Sequence, residues 1–350
     1  MTYPATQAQE PVRPDIAGTQ PPAADLRALL NVTGSRTVLL DASRDPNSSV
    51  TVLVMAPGEQ EPHLAVKVAT TRAAAEVIER EAQFLIQLRR LTLRRVGPTL
   101  PRPAGVFDAD GLLAVATSVV PGVPMRASYH AFRHLRDPAS VRADFTAAGN
   151  WLAALHADSL ATAAPIALLD GVAERIAARW PGDARASALA GQLGPIASRL
   201  ASASTPRTVV HGDFWAGNLL VTGDTVTGVV DWASGELSGE PLRDVARFVL
   251  SYSLYLDRHT RPGRKVAGHP GLRADGWGAG IRHAITGQGW FGDLVRGFVA
   301  LSLDRLGAPA RLWRDALLAG LAEVAATADH PDFAARHRDL LLRLISEVAE

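Results

Sequence analysis

Asp213, Asn218 and Asp231 are the residues of this chain best suited to chemistry, and they flank a short apolar hairpin. Leu219-Leu220-Val221 and residues 226–230 lie on either side of Gly223-Asp224, a two-residue turn that suits antiparallel strands. Folding back at that turn sets Asn218 near Val229 and brings Asp231 beside the 216–218 end. Carboxylates held together need a cation or a proton between them. An asparagine beside two aspartates, all hard oxygen donors without His or Cys, favours Mg²⁺ over zinc. The combination suits phosphoryl transfer, in which Mg²⁺ bridges nucleotide phosphates while a separate carboxylate orients the attacking hydroxyl. In this assignment Asn218 and Asp231 hold the metal and Asp213 is the base. Turn and cap duty at a polar hairpin end explains Asp213 or Asn218 taken singly. It explains poorly the whole constellation after two apolar strands.

The elements around this segment divide the chain in two. Residues 1–23 are poor in large apolar side chains and read as a disordered tail. A short helical pattern at 25–30 precedes three strand-like runs at 36–42, 49–56 and 63–69. A long helical pattern covers 73–95, and strands near 104–108 and 112–119 complete a five-stranded sheet with one helix. Val120-Pro121-Gly122-Val123-Pro124 breaks the pattern like a hinge. Beyond it helices dominate, at 139–160, between 165 and 204, at 241–256 and from about 289 to the end, with the β segment 207–230 embedded among them. The expected architecture is α+β, with a small β-rich lobe at 24–120 and a larger, mainly helical lobe at 121–350.

Composition narrows the function. The chain has 350 residues, with 36 Lys+Arg against 35 Asp+Glu for a net charge of +1. That balance gives no support to a nucleic-acid or anionic-membrane binder. The absence of Cys excludes disulfides, thiol catalysis and Cys-zinc sites. No apolar run approaches the ~20 residues of a membrane span and no export signal opens the chain, so a soluble, cytoplasmic protein is expected. Only Lys67 and Lys265 are lysines; the other 34 basic residues are arginine. A lysine kept against that background is a candidate for a task that needs a compact ammonium.

The block His211-Gly212-Asp213-Phe214-Trp215-Ala216-Gly217-Asn218, followed by Val229-Val230-Asp231-Trp232, resembles the aminoglycoside phosphotransferase and choline kinase-like family of small-molecule kinases. Gly239-Glu240-Pro241-Leu242-Arg243-Asp244-Val245-Ala246 is similar to the family's Pro-x-x-Asp-Leu-Ala segment, and Trp151–His156 to the helix before its catalytic loop. The resemblance implies a bilobal protein-kinase-like fold, ATP as co-substrate and Mg²⁺ as cofactor. It assigns Asp244 to bracing the catalytic loop, with His211 in a similar supporting place. It also requires a strand lysine for the nucleotide phosphates, which Lys67 in Val66-Lys67-Val68 supplies, and a helix glutamate to pair with it. Glu81 is the candidate, with Glu76 and Glu79 on the same helix. The phosphate-covering loop, Asn31-Val32-Thr33-Gly34-Ser35-Arg36, has one glycine where three are usual, and Ser35 is its possible donor.

Only about ten residues separate Asp231 from Pro241, too few for a peptide-binding activation segment, so a small hydroxyl acceptor is expected. Residues 257–283 carry six cations, Arg258, Arg261, Arg264, Lys265, Arg273 and Arg282, against Asp257 and Asp275. They read either as a surface insertion or as a basic lid, which would disfavour a polycationic acceptor. Trp277 and Trp290 offer a stacking face for a sugar or, more simply, core packing. His130 and His134 are four apart without acidic company and read as structural. The rival to an active kinase is a silent nucleotide-binding pseudokinase scaffold, whose mark would be damage at Lys67, Asp213, Asn218 or Asp231; all four are present.

Overall fold

Lys67 lies in the middle of a strand whose side chains alternate between two faces of a sheet. The computed structural model describes residues 24–25, 35–42, 49–109, 111–131 and 133–349. The expected tail, the loop residues 31–34, the turn 44–47 and all but the first residue of the helical pattern at 25–30 lie outside them. The chain forms two compact units, one of residues up to Gln87 with Arg102–Val119, the other of Leu88–Pro101 with Val120–Glu350.

In the first unit the strands are β1 (Ala24–Asp25), β2 (Arg36–Ala42), β3 (Ser49–Met55), β4 (Leu64–Ala69), β5 (Pro103–Ala109) and β6 (Leu112–Ser118). They form one sheet in the order β1-β5-β6-β4-β3-β2, antiparallel except for β1 beside β5. The strand beyond the five expected is β1, and it falls where Asp25 was expected to open a helix. Val54, Val66, Ala114 and Ala116 form the core on one face. On the other, Ala69 and Val115 pack against Ala74, Ile78 and Ala82 of the helix Arg72–Leu88, residues spaced by four along one stripe.

That helix stops at Leu88 rather than continuing to residue 95. Beyond it, the Asp158 carboxylate accepts the backbone N–H groups of Arg95 (2.5 Å) and Val96 (3.2 Å), which a continuing helix would have bonded internally.

The second unit is mainly helical. The helix Pro138–Ser159 starts on Asp137, whose side chain accepts from the N–H groups of Ala139 and Ser140. Phe145 sits at its centre, meeting Phe248, Tyr252 and Phe298 edge-on with centroids 5.0–5.2 Å apart. The helix Trp313–Thr327 is apolar on nearly every side and runs through the core. Val123–Pro124 of the expected hinge pairs with Leu220 and Val221, making a three-stranded sheet with the embedded hairpin. No helix among the described residues is long and apolar enough to cross a membrane.

Candidate active site

The hairpin forms from Leu219–Thr222 and Thr225–Val229 around Gly223-Asp224, as its turn chemistry dictates. One detail differs from a regular ladder. Thr222 faces Thr225 and Val221 faces Val226, but Leu220 faces Gly228, so the register slips by one at Thr227. The Thr227 hydroxyl donates to Pro121 O (2.8 Å) and lies 3.1 Å from the Thr222 hydroxyl. The slip sets Asn218 opposite Val230 rather than Val229, and the Val230 N–H donates to Asn218 O (3.0 Å). Asp231 follows directly, with φ 69°, a left-handed conformation that aspartate tolerates better than most residues.

Asn218 uses its side-chain amide on Asp213, donating from Nδ2 to the backbone oxygen (2.9 Å) and to Oδ2 (3.2 Å). The His211 ring closes the same loop. Its Nδ1 accepts the Asp213 N–H (3.2 Å) while Nε2 lies 2.9 Å from Val230 O, which assigns the ring proton to Nε2. One buried imidazole thereby links the strand leading to Asp231 with the loop bearing Asp213.

Asp244, fully buried in the first turn of the helix Leu242–Leu254, accepts the N–H groups of His211 (2.7 Å) and Gly212 (2.8 Å), one on each carboxylate oxygen. Burial raises its carboxyl above the usual range, while His211, these two N–H groups and Arg243 act in the opposite sense. Gly212 has φ +80°, and a Cβ there would meet Ser234 O at 2.1 Å, so no other residue fits. Behind the loop, Trp151 stacks on Phe214 with centroids 5.3 Å apart, and Trp232 packs on His211 at 4.5 Å.

Sequence reasoning missed Arg247. It lies one turn beyond Asp244, and its Nε (2.8 Å) and Nη2 (2.7 Å) both reach Asp213 Oδ1. The signal was present as a single cation within an otherwise apolar stretch, Val245–Leu250, of a buried helix.

In the first unit, Lys67 Nζ is 2.5 Å from Glu81 Oε2. Helix phase makes the choice among the three glutamates. Glu81 follows Ile78 by three and is 6% exposed, whereas Glu79 accepts from Gln83 and Glu76 lies 3.9 Å from Arg72. Lys67 pairs with Thr51 on one side and Val115 on the other, so its strand is internal and the ammonium is no edge charge. Ser35 directly precedes β2, and residues 31–34 of its loop lie outside the described residues.

The donor chemistry fits Mg²⁺. With the Asn218 Nδ2 committed to Asp213, its Oδ1 and the Asp231 carboxylate are hard oxygen atoms of the kind Mg²⁺ takes. Among the described residues no group of three or more His, Asp or Glu could hold a metal by itself. Mg²⁺ commonly takes one or two protein oxygens and fills its remaining positions from phosphates and water.

The short stretch after Asp231 forms the strand Glu236–Gly239 on Thr208–Val210. The basic segment packs as a hairpin-like loop in which Lys265 bridges Arg273 and Val266, Leu272 and Ala274 are buried. Within it His269 Nε2 donates to Leu135 O (2.7 Å). Trp290 stacks on His269 and donates to Gly268 O, and Trp277 packs on His337 and Phe333, so packing uses both indoles. His134 contacts Asp144 at 2.7 Å.

The phosphotransferase enzyme family model matches residues 44–279, about two thirds of the chain, and spans Lys67, Glu81, His211, Asp213, Asn218, Asp231, Asp244 and Arg247 but not Ser35. The chain belongs to this family. Its fold is that of the aminoglycoside phosphotransferases. A thermostable mutant of APH(4)-Ia in its apo form is 15% identical with a TM-score of 0.52, covering 92% of this chain and 98% of that one. APH(2″)-IIa in a ternary complex with streptomycin and ATP is 14% identical with a TM-score of 0.50, covering 91% and 95%. A thermostable mutant of APH(4)-Ia with AMP-PNP and hygromycin B is 16% identical with a TM-score of 0.50, covering 90% and 96%. At such identities the likeness concerns the fold. No curated protein matches the chain significantly.

Proposed function

We propose that this phosphotransferase is an ATP-dependent small-molecule kinase that moves the γ-phosphate to a hydroxyl of a sugar, amino sugar or related alcohol. Lys67, held by Glu81, takes the nucleotide's phosphates, and Ser35 is a further donor to them. Asn218 and Asp231 hold Mg²⁺, which when bound neutralises charge on the β- and γ-phosphates. Asp213 orients the acceptor hydroxyl and takes its proton. The acceptor oxygen forms its bond to the γ-phosphorus as the bond from phosphorus to the bridging oxygen breaks, and the electron pair leaves with ADP. His211 and Asp244 act through the loop they brace and touch neither substrate.

The observation that carries this reading is the hold on Asp213. Asn218 and Arg247 bond its carboxylate while the hairpin register brings Asp231 alongside Asn218. Such preorganisation is most of what phosphoryl transfer asks of a protein. The nucleotides in the similar structures, ATP in one and AMP-PNP in another, agree with ATP as donor.

The test is ADP release from Mg·ATP against aminoglycosides, neutral and amino sugars, nucleosides and choline-like alcohols, with Asp213→Asn as blank. Acceptor-dependent release that the blank lacks is the expected result. Nucleotide binding with no acceptor-dependent release across the panel would favour the silent scaffold instead.

A further inference from the structure

We infer that the cavity beside the catalytic loop is an acceptor subsite for an alcohol bearing an anionic group, a carboxylate or a phosphate ester, held between Arg126 and Arg258. The inference rests on the phosphotransferase reading above and names the class of acceptor.

The cavity has a volume of about 410 Å³ and lies wholly within the second unit. Trp215 and Ala216, two and three residues past Asp213, form one wall. Ser251 and Tyr255 form another, one and two turns along from Arg247, the residue that holds Asp213. The third wall is tied to the first, because the Arg126 N–H donates to Ala216 O (2.9 Å). Bound there, a small molecule lies against the loop that carries the proposed base.

Charge decides what it binds. Two arginines line the cavity and no carboxylate does. Among the described residues neither Arg126 nor Arg258 makes an ion pair with an acid. The Arg126 guanidinium lies 5.9 Å from the Trp215 ring centre, and Arg258 Nη1 is 2.7 and 2.9 Å from the two nitrogens of His130. Burial lowers the pKa of His130, and both arginines act in the same direction, so the ring stays neutral beside them.

The acids nearby do not cancel this field. Asp144 is taken by His134 and by the Tyr252 hydroxyl, each at 2.7 Å. Asp257, next to Arg258 in the chain, does not line the cavity. The Tyr129 hydroxyl donates inward to Tyr252 O (2.7 Å), so these tyrosines contribute ring rather than oxygen to the cavity. The comparable cavity beside Trp277 differs, since its Arg282 is spent on Glu347 and Asp339 lines it as well. A polycation would be repelled from the Arg126–Arg258 cavity, whereas an oxyanion meets two planar forks able to bind it bidentately.

The experiment is direct binding to the full chain, by calorimetry, of gluconate and glycerol 3-phosphate, with glucitol and glycerol as neutral counterparts and kanamycin as polycation. At least one anion is expected to bind about tenfold or more tighter than its neutral counterpart, the size of one charge-assisted contact. That affinity should fall by a similar factor in Arg126→Gln and in Arg258→Gln, and should weaken with added salt. Whether gluconate or glycerol 3-phosphate leads separates a carboxylate from a phosphate ester. Ser251→Trp, which fills the cavity without altering either arginine, should also abolish the binding. Absence of anion binding, binding of kanamycin or a neutral alcohol at equal strength, or anion binding that survives both arginine substitutions overturns the inference. Mg·ATP binding on the same samples reads the phosphotransferase assignment separately, because its loss would condemn that assignment whatever the anions do.

Discussion

Arg247 holds Asp213 with two guanidinium nitrogens, at 2.8 and 2.7 Å, both on Oδ1. Asn218 holds Oδ2 from the other side at 3.2 Å. The carboxylate therefore cannot rotate freely, and the orientation of the proposed base is set before any substrate arrives. In Arg247→Gln, kcat should fall by about 10²-fold, the usual cost of a misplaced reacting group. The KM for ATP should change little. Arg247→Lys should recover part of the loss, since it restores the charge but not the fork. Steady-state kinetics on the two variants reads the split; a rise in KM with kcat intact would show that Arg247 serves nucleotide binding instead.

The two aspartates should separate experimentally. Asp213→Asn is expected to keep Mg·nucleotide affinity and lose turnover by about 10²–10⁴-fold. Asp231→Asn is expected to weaken the Mg²⁺-dependent part of nucleotide binding itself. Nucleotide titrations with and without Mg²⁺ on both variants check this, and identical behaviour would refute the division of roles.

In the first unit, Lys67→Ala should raise the KM for ATP by about tenfold or more, as expected for one lost charge-assisted contact. Glu81→Gln should do the same more mildly, because the ammonium remains but loses its anchor. If nucleotide binding and turnover both survive Lys67→Ala, the phosphate assignment is wrong.

Asp244→Ala would leave the N–H groups of His211 and Gly212 buried without an acceptor. The expected cost is on the order of 3 kcal/mol, and Asp244→Asn, which keeps one acceptor oxygen, should cost less. Urea denaturation measures both.

Acid should unfold this protein through its buried histidines. His156, His269 and His337 are all at or below 7% exposure, and burial lowers each pKa from 6.5 to about 4. His156 Nε2 and His269 Nδ1 have no hydrogen-bond partner among the described residues. Between those pH values the unfolded chain binds more protons than the folded one. Stability from these groups is therefore full above about pH 6.5 and is lost as pH falls towards 4, by up to about 3 kcal/mol per histidine. Urea midpoints from pH 7.5 to 4.5 should trace that decline, and His156→Leu should flatten it. A midpoint constant across that range would contradict the prediction.

Much of the site was legible in the sequence because the signals are local. The turn at Gly223-Asp224 and the apolar runs beside it force Asn218 and Asp231 to one end of a hairpin, whatever surrounds them. Alternation along Val66-Lys67-Val68 puts the lysine opposite the two valines for the same reason. Other features needed the tertiary structure, because they depend on residues far apart in the chain. The extra residue at Thr227 answers to Pro121, more than a hundred positions earlier. Glu81 was one of three glutamates until the packing of Ile78 on the sheet set the helix phase. Arg247 meets Asp213 only because Asp244 fastens its helix to the loop. The cavity between Arg126 and Arg258 draws its walls from three separate stretches of chain. Spacing along a chain determines which residues share a face, but which faces meet is decided by packing.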